Sequence, residues 1–321
     1  PEQSRPTIDA IYAHYKDANG DGFRSHLGAS VIGRPCLREI WYGYRWTLSR
    51  IFEGRILRLF DHGNVEEKRV IKDLRGIGCE VFTRDPRTKW QFGFLEFEGH
   101  FAGSCDGIVL GLPEAPKTPH LLEVKTANDR IFKLLETNGV QKEKPEHFAQ
   151  MQIYMNFAKL KRAVYITVNK NTDQIYLERI NFEPKVAEKY LNRAFRIITA
   201  KRIPDKLSDN PSHWECKYCT YYDICHQKGI PEKNCRTCEH SRPKVNVGDD
   251  ISAKLKPVWI CAPELKIIKK TVMKKGCRNY NLRDGMKPSF SKEDMNRFQQ
   301  SRNFPPTTVL ENSSKKPPWA K

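Results

Sequence analysis

Gly103-Ser104-Cys105-Asp106-Gly107-Ile108-Val109 and, after a turn-rich stretch over residues 111–119, Leu121-Leu122-Glu123-Val124-Lys125-Thr126 decide how this chain reads. Both halves are short apolar runs bounded by Gly and Pro, which is how strands are written in sequence. Side chains alternate along a strand, so Glu123 and Lys125 share one face and Val124 takes the other. If the two strands pair, Asp106 comes to lie beside Glu123, and two carboxylates and an ammonium meet at one point on a sheet. Carboxylate oxygens suit Mg²⁺ or Mn²⁺, hard cations that retain several waters. A neighbouring lysine orients or deprotonates such a water and offsets developing negative charge. A solvated Glu/Lys pair on an edge strand is the plainer alternative.

Upstream, Phe60-Asp61-His62-Gly63-Asn64-Val65-Glu66-Glu67-Lys68-Arg69-Val70 opens a helical stretch. Downstream, His147-Phe148-Ala149-Gln150-Met151-Gln152-Ile153-Tyr154-Met155 has helical periodicity, with Gln150 and Tyr154 on one face. Asp106 with Glu123-Val124-Lys125 resembles the D-(x)n-E-x-K pattern of the PD-(D/E)xK nuclease superfamily. Gly63 and Glu67 resemble the first motif of lambda-type phage exonucleases, a glycine followed four positions later by a glutamate. RecB and Cas4 nucleases usually carry a histidine at the glutamate position, and His62 lies five residues away from it. The resemblance therefore makes Glu67 the third acidic group of the metal site. Glu66 and His62 are lesser alternatives, and an ordinary charged helix face is the plain one. Gln150 and Tyr154 resemble the Q-x-x-x-Y motif of RecB-like nucleases. An amide and a phenol can hydrogen-bond a phosphate or a metal-bound water without adding charge. A helix that only packs Tyr154 in the core is the alternative, and Gln152 points elsewhere. Cys105, not proline, precedes Asp106.

Cys216, Cys219 and Cys225 form C-x2-C-x5-C, three thiols able to grip a metal or cluster from one loop, and they need a fourth ligand. Cas4- and AddB-type nucleases place one cysteine before the nuclease core and three after it. By that resemblance Cys36 is the fourth ligand of a 4Fe–4S cluster. Spacing alone leaves iron–sulfur and Zn²⁺ both open. Cys235 and Cys238 form a second C-x2-C, followed at wide gaps by Cys261 and Cys277. This group reads as a ribbon-like zinc site with His240 and His226 as alternative ligands. Cys79 and Cys105 stand in apolar, strand-like contexts as core thiols. Trp41, Tyr42, Tyr44 and Trp46 read first as packing around Cys36, and second as rings that stack on bases.

The 321 residues are 39% hydrophobic and 29% charged, enough for one main domain with appendages. The net charge of +18 suits a polyanionic partner. Clustered C-x2-C thiols without an apolar leader suggest metal thiolates in a reducing cytoplasm, and no run reaches the length of a membrane helix. The expected organisation is a helical region over residues 1–59, a nuclease core over 60–202, a three-cysteine loop over 203–229, a second cysteine module over 230–280 and a basic mobile tail over 281–321. Strands are expected around 80–84 and 93–110, a hairpin over 163–168 and 174–181, and a basic helix over 184–202 that begins at Pro184.

The fold class expected is a restriction-endonuclease-like α/β mixed sheet flanked by helices, with a cysteine-rich C-terminal module. By resemblance the chain reads as a metal-dependent DNA nuclease, an exonuclease on DNA ends or single strands in recombination, repair or phage replication, with a recombination or replication protein as a further partner. Asp106, Glu123, Glu67 and the Val124 carbonyl hold the divalent ion, Lys125 handles the water, and Gln150 and Tyr154 orient substrate. The alternative is a non-catalytic nucleic-acid-binding or scaffold protein that kept the fold. The second cysteine module also admits a regulatory role in DNA or protein contacts.

Overall fold

Strand β6 (His120–Ala127), the segment that carries Glu123 and Lys125, lies at the centre of a five-stranded mixed sheet. The computed structural model describes residues 5–18, 22–49, 51–245 and 256–287. The chain begins with α1 (Pro6–Ala18), β1 (Leu27–Gly28), α2 (Leu37–Tyr44) and α3 (Gly54–Gly76). Four short strands follow before β6: β2 (Glu80–Phe82), β3 (Gly93–Glu96), β4 (Phe101–Ser104) and β5 (Gly107–Leu110). After β6 come α4 (Asp129–Asn138), α5 (Val140–Glu143), α6 (Pro145–Ala158), β7 (Arg162–Asn169), β8 (Ile175–Asn181) and α7 (Pro184–Thr199). The C-terminal part holds α8 (Trp214–Lys217), α9 (Tyr222–His226), β9 (Ser241–Pro243), β10 (Trp259–Cys261), β11 (Lys266–Ile267) and α10 (Lys270–Lys275).

The main sheet runs β2-β5-β6-β7-β8, antiparallel except for the parallel pair β6/β7. A parallel pair needs a crossover, and helices α4 to α6 supply it. Asn128 starts that crossover by accepting the Ile131 N–H at 2.9 Å, and Pro145 opens α6, where its missing N–H costs nothing. The period-2 alternation of β6 and β7 splits the core. Leu122, Val124, Val164 and Ile166 pack with Val70, Ile71 and Leu74 of α3, whereas Leu121, Ala163 and Tyr165 pack with Phe148, Ala149 and Met151 of α6. This mixed sheet between helices is the fold class that the sequence predicts.

The stretch 93–110, expected as one strand, is three. Phe97, Glu98 and Gly99 all have positive φ (51°, 52° and 78°) and turn the chain sharply between β3 and β4. A second break at Cys105–Asp106 takes the chain out of the small sheet β1-β4-β3 and into the main one. Asp106 thus sits where the chain changes sheets, next to β6 rather than within a ladder. The basic helix starts at Pro184 as expected and ends at Thr199 instead of residue 202. The hairpin β7/β8 pairs Val168 with Ile175 and closes over Asn169–Asp173.

The aromatic stripe is core: Trp41, Tyr42, Tyr44 and Trp46 are all buried. Cys79 and Cys105 are buried thiols that donate to the carbonyls of Gly111 and Gly107. Packing continues past residue 281, because Leu282 bridges Cys238 and Arg283 and Met286 are buried. The remaining tail, 288–321, lies outside the described residues. Among the described residues no helix is long and apolar enough to cross a membrane.

Candidate active site and cysteine sites

Main-chain geometry places the first acid. The bend at Asp106 aims its carboxylate at the neighbouring strand, where Oδ2 accepts the Val124 N–H at 2.7 Å. From β6, Lys125 Nζ donates to Glu123 Oε1 and, at 3.2 Å, to the Val124 carbonyl. From α6, Gln150 Nε2 donates to Glu123 Oε1 at 2.8 Å and reaches Tyr154 Oη at 3.3 Å. From α3, Glu67 joins the same electrostatic group as Asp106 and Lys125. Glu67, Asp106, Lys125, Lys144, His147 and Lys170 line one open cleft.

The charges in this cleft perturb one another. Burial raises Glu123 to about 7; Lys125 pulls it back down, while Asp106 and Glu67 push it further up. Burial and the Asp106 carboxylate also raise Glu67. Burial alone would lower Lys125, but Glu123 and Asp106 more than reverse this and hold it above its ordinary value. His147, whose Nδ1 lies 2.8 Å from Tyr165 Oη, is lowered to about 3 by burial, Lys125 and Lys144. Lys125 is therefore a fixed ammonium at neutral pH, and His147 a neutral imidazole.

Two buried acceptors in this group, Glu123 Oε2 and Gln150 Oε1, have no hydrogen-bond donor. Orphaned buried oxygens are costly and suit a cation or a donor-bearing ligand. The donor set fits a hard divalent ion. Among the described residues, however, no three His, Cys, Asp or Glu side chains stand as a ready-made metal site.

The other candidates fall elsewhere. His62 is exposed, and Glu66 is buried and paired with Arg69 at 3.5 Å. Gln152 ties α6 to its neighbours through the Asn181 carbonyl and the Glu183 N–H, both at 2.8 Å. Gln150 and Tyr154 are each 5% exposed and do not line the cleft; Gln150 holds Glu123 instead of facing the opening. Tyr154 lies over Gly103, where an added Cβ would stand 2.8 Å from the phenol oxygen. Sequence reasoning missed Lys144, His147, Tyr165 and Lys170. His147 was discoverable, since it precedes Gln150 by one helical turn. Tyr165 faces Glu123 only through the β6/β7 register.

Glu123 yields a pH prediction. A carboxyl raised to about 7 when folded binds its proton more tightly than when unfolded, so its contribution is fully present below about 4.3 and is lost as pH rises towards 7. At about 1.4 kcal/mol per pKa unit, the metal-free protein loses on the order of 3 kcal/mol through this group. Buried histidines slope the other way, so the difference between wild type and Glu123→Gln is the useful quantity. Denaturant melts from pH 5 to 8 are expected to show the Gln variant gaining on wild type as pH rises. Parallel curves would contradict the burial argument.

The cysteines gather in two places. Cys36, Cys216, Cys219 and Cys225 line one cavity, and main-chain N–H groups point at two of the sulfurs: Glu39 N to Cys36 at 3.4 Å and Tyr221 N to Cys219 at 3.4 Å. Arg38 Nη1 lies 3.7 Å from Cys225 Sγ. Burial, with the nearby Glu39, Cys36 and Cys225, raises Cys219 to about 11. Cys235, Cys238, Cys261 and Cys277 line a second cavity with His240, whereas His226 belongs to the first. Sulfur is the donor type that iron–sulfur clusters and zinc take, and four cysteines line each cavity, although among the described residues they too form no ready-made group of three ligands.

No family model and no curated protein matches this chain. Among solved structures, the protein SSO0001 is 16% identical with a TM-score of 0.43, covering 68% of this chain and 95% of its own. An alkaline exonuclease, LHK-Exo from Laribacter hongkongensis, is 17% identical with a TM-score of 0.37, covering 58% of this chain and 90% of its own. The complex of LHK-Exo with dAMP is 15% identical with a TM-score of 0.34, covering 59% and 89%.

Proposed function

We propose that this protein is a divalent-cation-dependent deoxyribonuclease, acting as an exonuclease on DNA ends or single strands in recombination, repair or phage replication. The observation that carries this reading is the meeting of Asp106, Glu67 and Lys125 at one cleft, with Glu123 buried behind Lys125 and its Oε2 lacking a donor. Asp106 and Glu123 would hold Mg²⁺ or Mn²⁺, with Glu67 and the Val124 carbonyl completing the set. Bound there, the ion supplies Lewis-acid activation of water and stabilises charge on the phosphate under attack.

The chain's own residues supply the rest. Lys125 is an ammonium, so it orients water and donates to phosphate oxygen instead of removing a proton. Gln150 fixes the rotamer of Glu123, and Asp106 is fixed by the Val124 N–H. Lys144 and Lys170 on the cleft walls meet the DNA backbone, in keeping with the net charge of +18. The cysteine sets would carry a 4Fe–4S cluster at Cys36, Cys216, Cys219 and Cys225, and Zn²⁺ at Cys235, Cys238, Cys261 and Cys277.

Digestion of paired substrates tests the exonuclease reading. Linear end-labelled DNA is expected to release nucleotides progressively from its ends, while covalently closed circles of the same sequence persist. Rapid nicking of the circles would replace the exonuclease reading with an endonuclease.

A further inference from the structure

Three arginines are buried beside the second cysteine group with no carboxylate in direct contact among the described residues. Arg45, Arg236 and Arg283 are 2%, 1% and 7% exposed, and among the described residues none makes an ion pair. Their hydrogen bonds go almost entirely to carbonyl oxygens. Arg236, between Cys235 and Cys238, donates to Ser25 O at 2.5 Å and Tyr44 O at 2.8 Å. Its guanidinium lies 3.8 Å from the Trp46 ring centre and 4.6 Å from that of Trp259. Arg45 covers Trp259 at 4.9 Å and reaches Arg236 O and Ser241 O at 3.4 and 3.3 Å. Arg283 donates to Cys238 O at 3.0 Å and Ser241 O at 2.9 Å. Glu239 favours the charge on Arg283 from a distance, but its carboxylate is bonded by Asn281, faces His240 and touches none of the three.

Carbonyl dipoles and aromatic faces lower the cost of a buried cation but do not neutralise it. Three such charges packed together repel one another, and four neutral thiols would leave the repulsion standing. Four thiolates on a divalent ion form a centre of net charge −2, and the chain ties the arginines to it: Arg236 lies between Cys235 and Cys238, Arg283 donates to the Cys238 carbonyl, and Arg45 reaches the Arg236 carbonyl.

We propose that the second cysteine group holds Zn²⁺ as a tetrathiolate, and that this dianion is the counter-charge for Arg45, Arg236 and Arg283. The metal thereby fastens the C-terminal module to the N-terminal segment that contains Ser25, Tyr44 and Trp46. The inference rests on the zinc assignment above and adds to it a defined electrostatic role for three residues that are not ligands. It also makes the ion structural, since its outer shell is protein on the side of the arginines and all four positions are sulfur.

The test measures zinc content and the rate of zinc release to a colorimetric chelator, using the whole purified chain. Wild type is expected to hold close to one zinc at this group and release it slowly, while Cys277→Ser lowers the content. Arg283→Met and Arg236→Met are expected to release zinc about 10-fold faster or more, the scale of outer-shell effects on metal sites. Arg283→Lys, which keeps the charge, is expected to stay nearer wild type than Arg283→Met. Limited proteolysis of zinc-stripped wild type is expected to cut within residues 234–287 sooner than the loaded protein. A zinc-free wild type would remove the zinc assignment itself. Normal zinc content with unchanged release from both Met variants, or equal release from Arg283→Lys and Arg283→Met, would overturn the counter-charge role while leaving zinc in place. If Arg236→Met does not fold, Arg283→Met decides alone, because Arg283 lies nearer the surface.

Discussion

Asp106→Ala and Lys125→Ala are each expected to lower DNA cleavage by about 10³-fold or more, the scale on which charge-stabilising and proton-handling groups act. Asp106 is half-buried and held by one main-chain N–H. Its removal leaves Val124 N accessible to water and the sheet intact, so melting temperature and DNA binding should change little. Lys125→Ala is harsher, because it strips the ammonium from a fully buried Glu123. That carboxyl then takes up a proton at neutral pH, which limits the folding cost but removes a second group from the site. Single-turnover digestion gives the loss of rate, and fluorescence anisotropy with uncleaved DNA gives the binding. Undiminished cleavage by Asp106→Ala would remove the site assignment.

Cys36→Ser and Cys216→Ser are expected to abolish the visible colour and iron content of anaerobically purified protein. They should also destabilise it by several kcal/mol, since metal-binding free energy at such sites is folding free energy. For a domain of this size each kcal/mol lowers the melting temperature by roughly 2–4 °C. The reason lies in the chain path. Cys36 caps α2, and its cavity partners come from residues 216–225, so the four sulfurs tie the start of the chain to the segment after α7. A colourless wild type with zinc alone would make this site structural zinc. A wild type with neither metal would make the four thiols ordinary packing.

Local patterns in the sequence carried the parts of the fold that depend on local rules. The Leu121–Thr126 alternation, the Asn169–Asp173 turn and Pro184 at a helix start are set by neighbours in sequence, and they read correctly. The break at Phe97–Gly99 did not, because two of its three left-handed residues are Phe and Glu, which carry no turn signature. Nor did the second break at Asp106, whose cause is the transfer between sheets. Around the cleft, Glu67, Asp106 and Lys125, with Glu123 buried behind them, came from spacing and resemblance. Lys144, Tyr165 and Lys170 are placed by tertiary register alone. The buried arginines were invisible for a different reason: in sequence an arginine reads as surface, and Arg45, Arg236 and Arg283 are inside only because carbonyls and rings from distant segments enclose them.

The central claim is that acids from α3, the Asp106 bend and β6 bind a divalent ion that hydrolyses DNA. Its most direct test is digestion of end-labelled DNA by protein stripped of divalent ions, with and without added Mg²⁺ or Mn²⁺. The account predicts nucleotide release only when the ion is present, and none from Asp106→Ala under the same conditions. Intact DNA in the presence of either ion, or hydrolysis that persists in excess chelator, would contradict it.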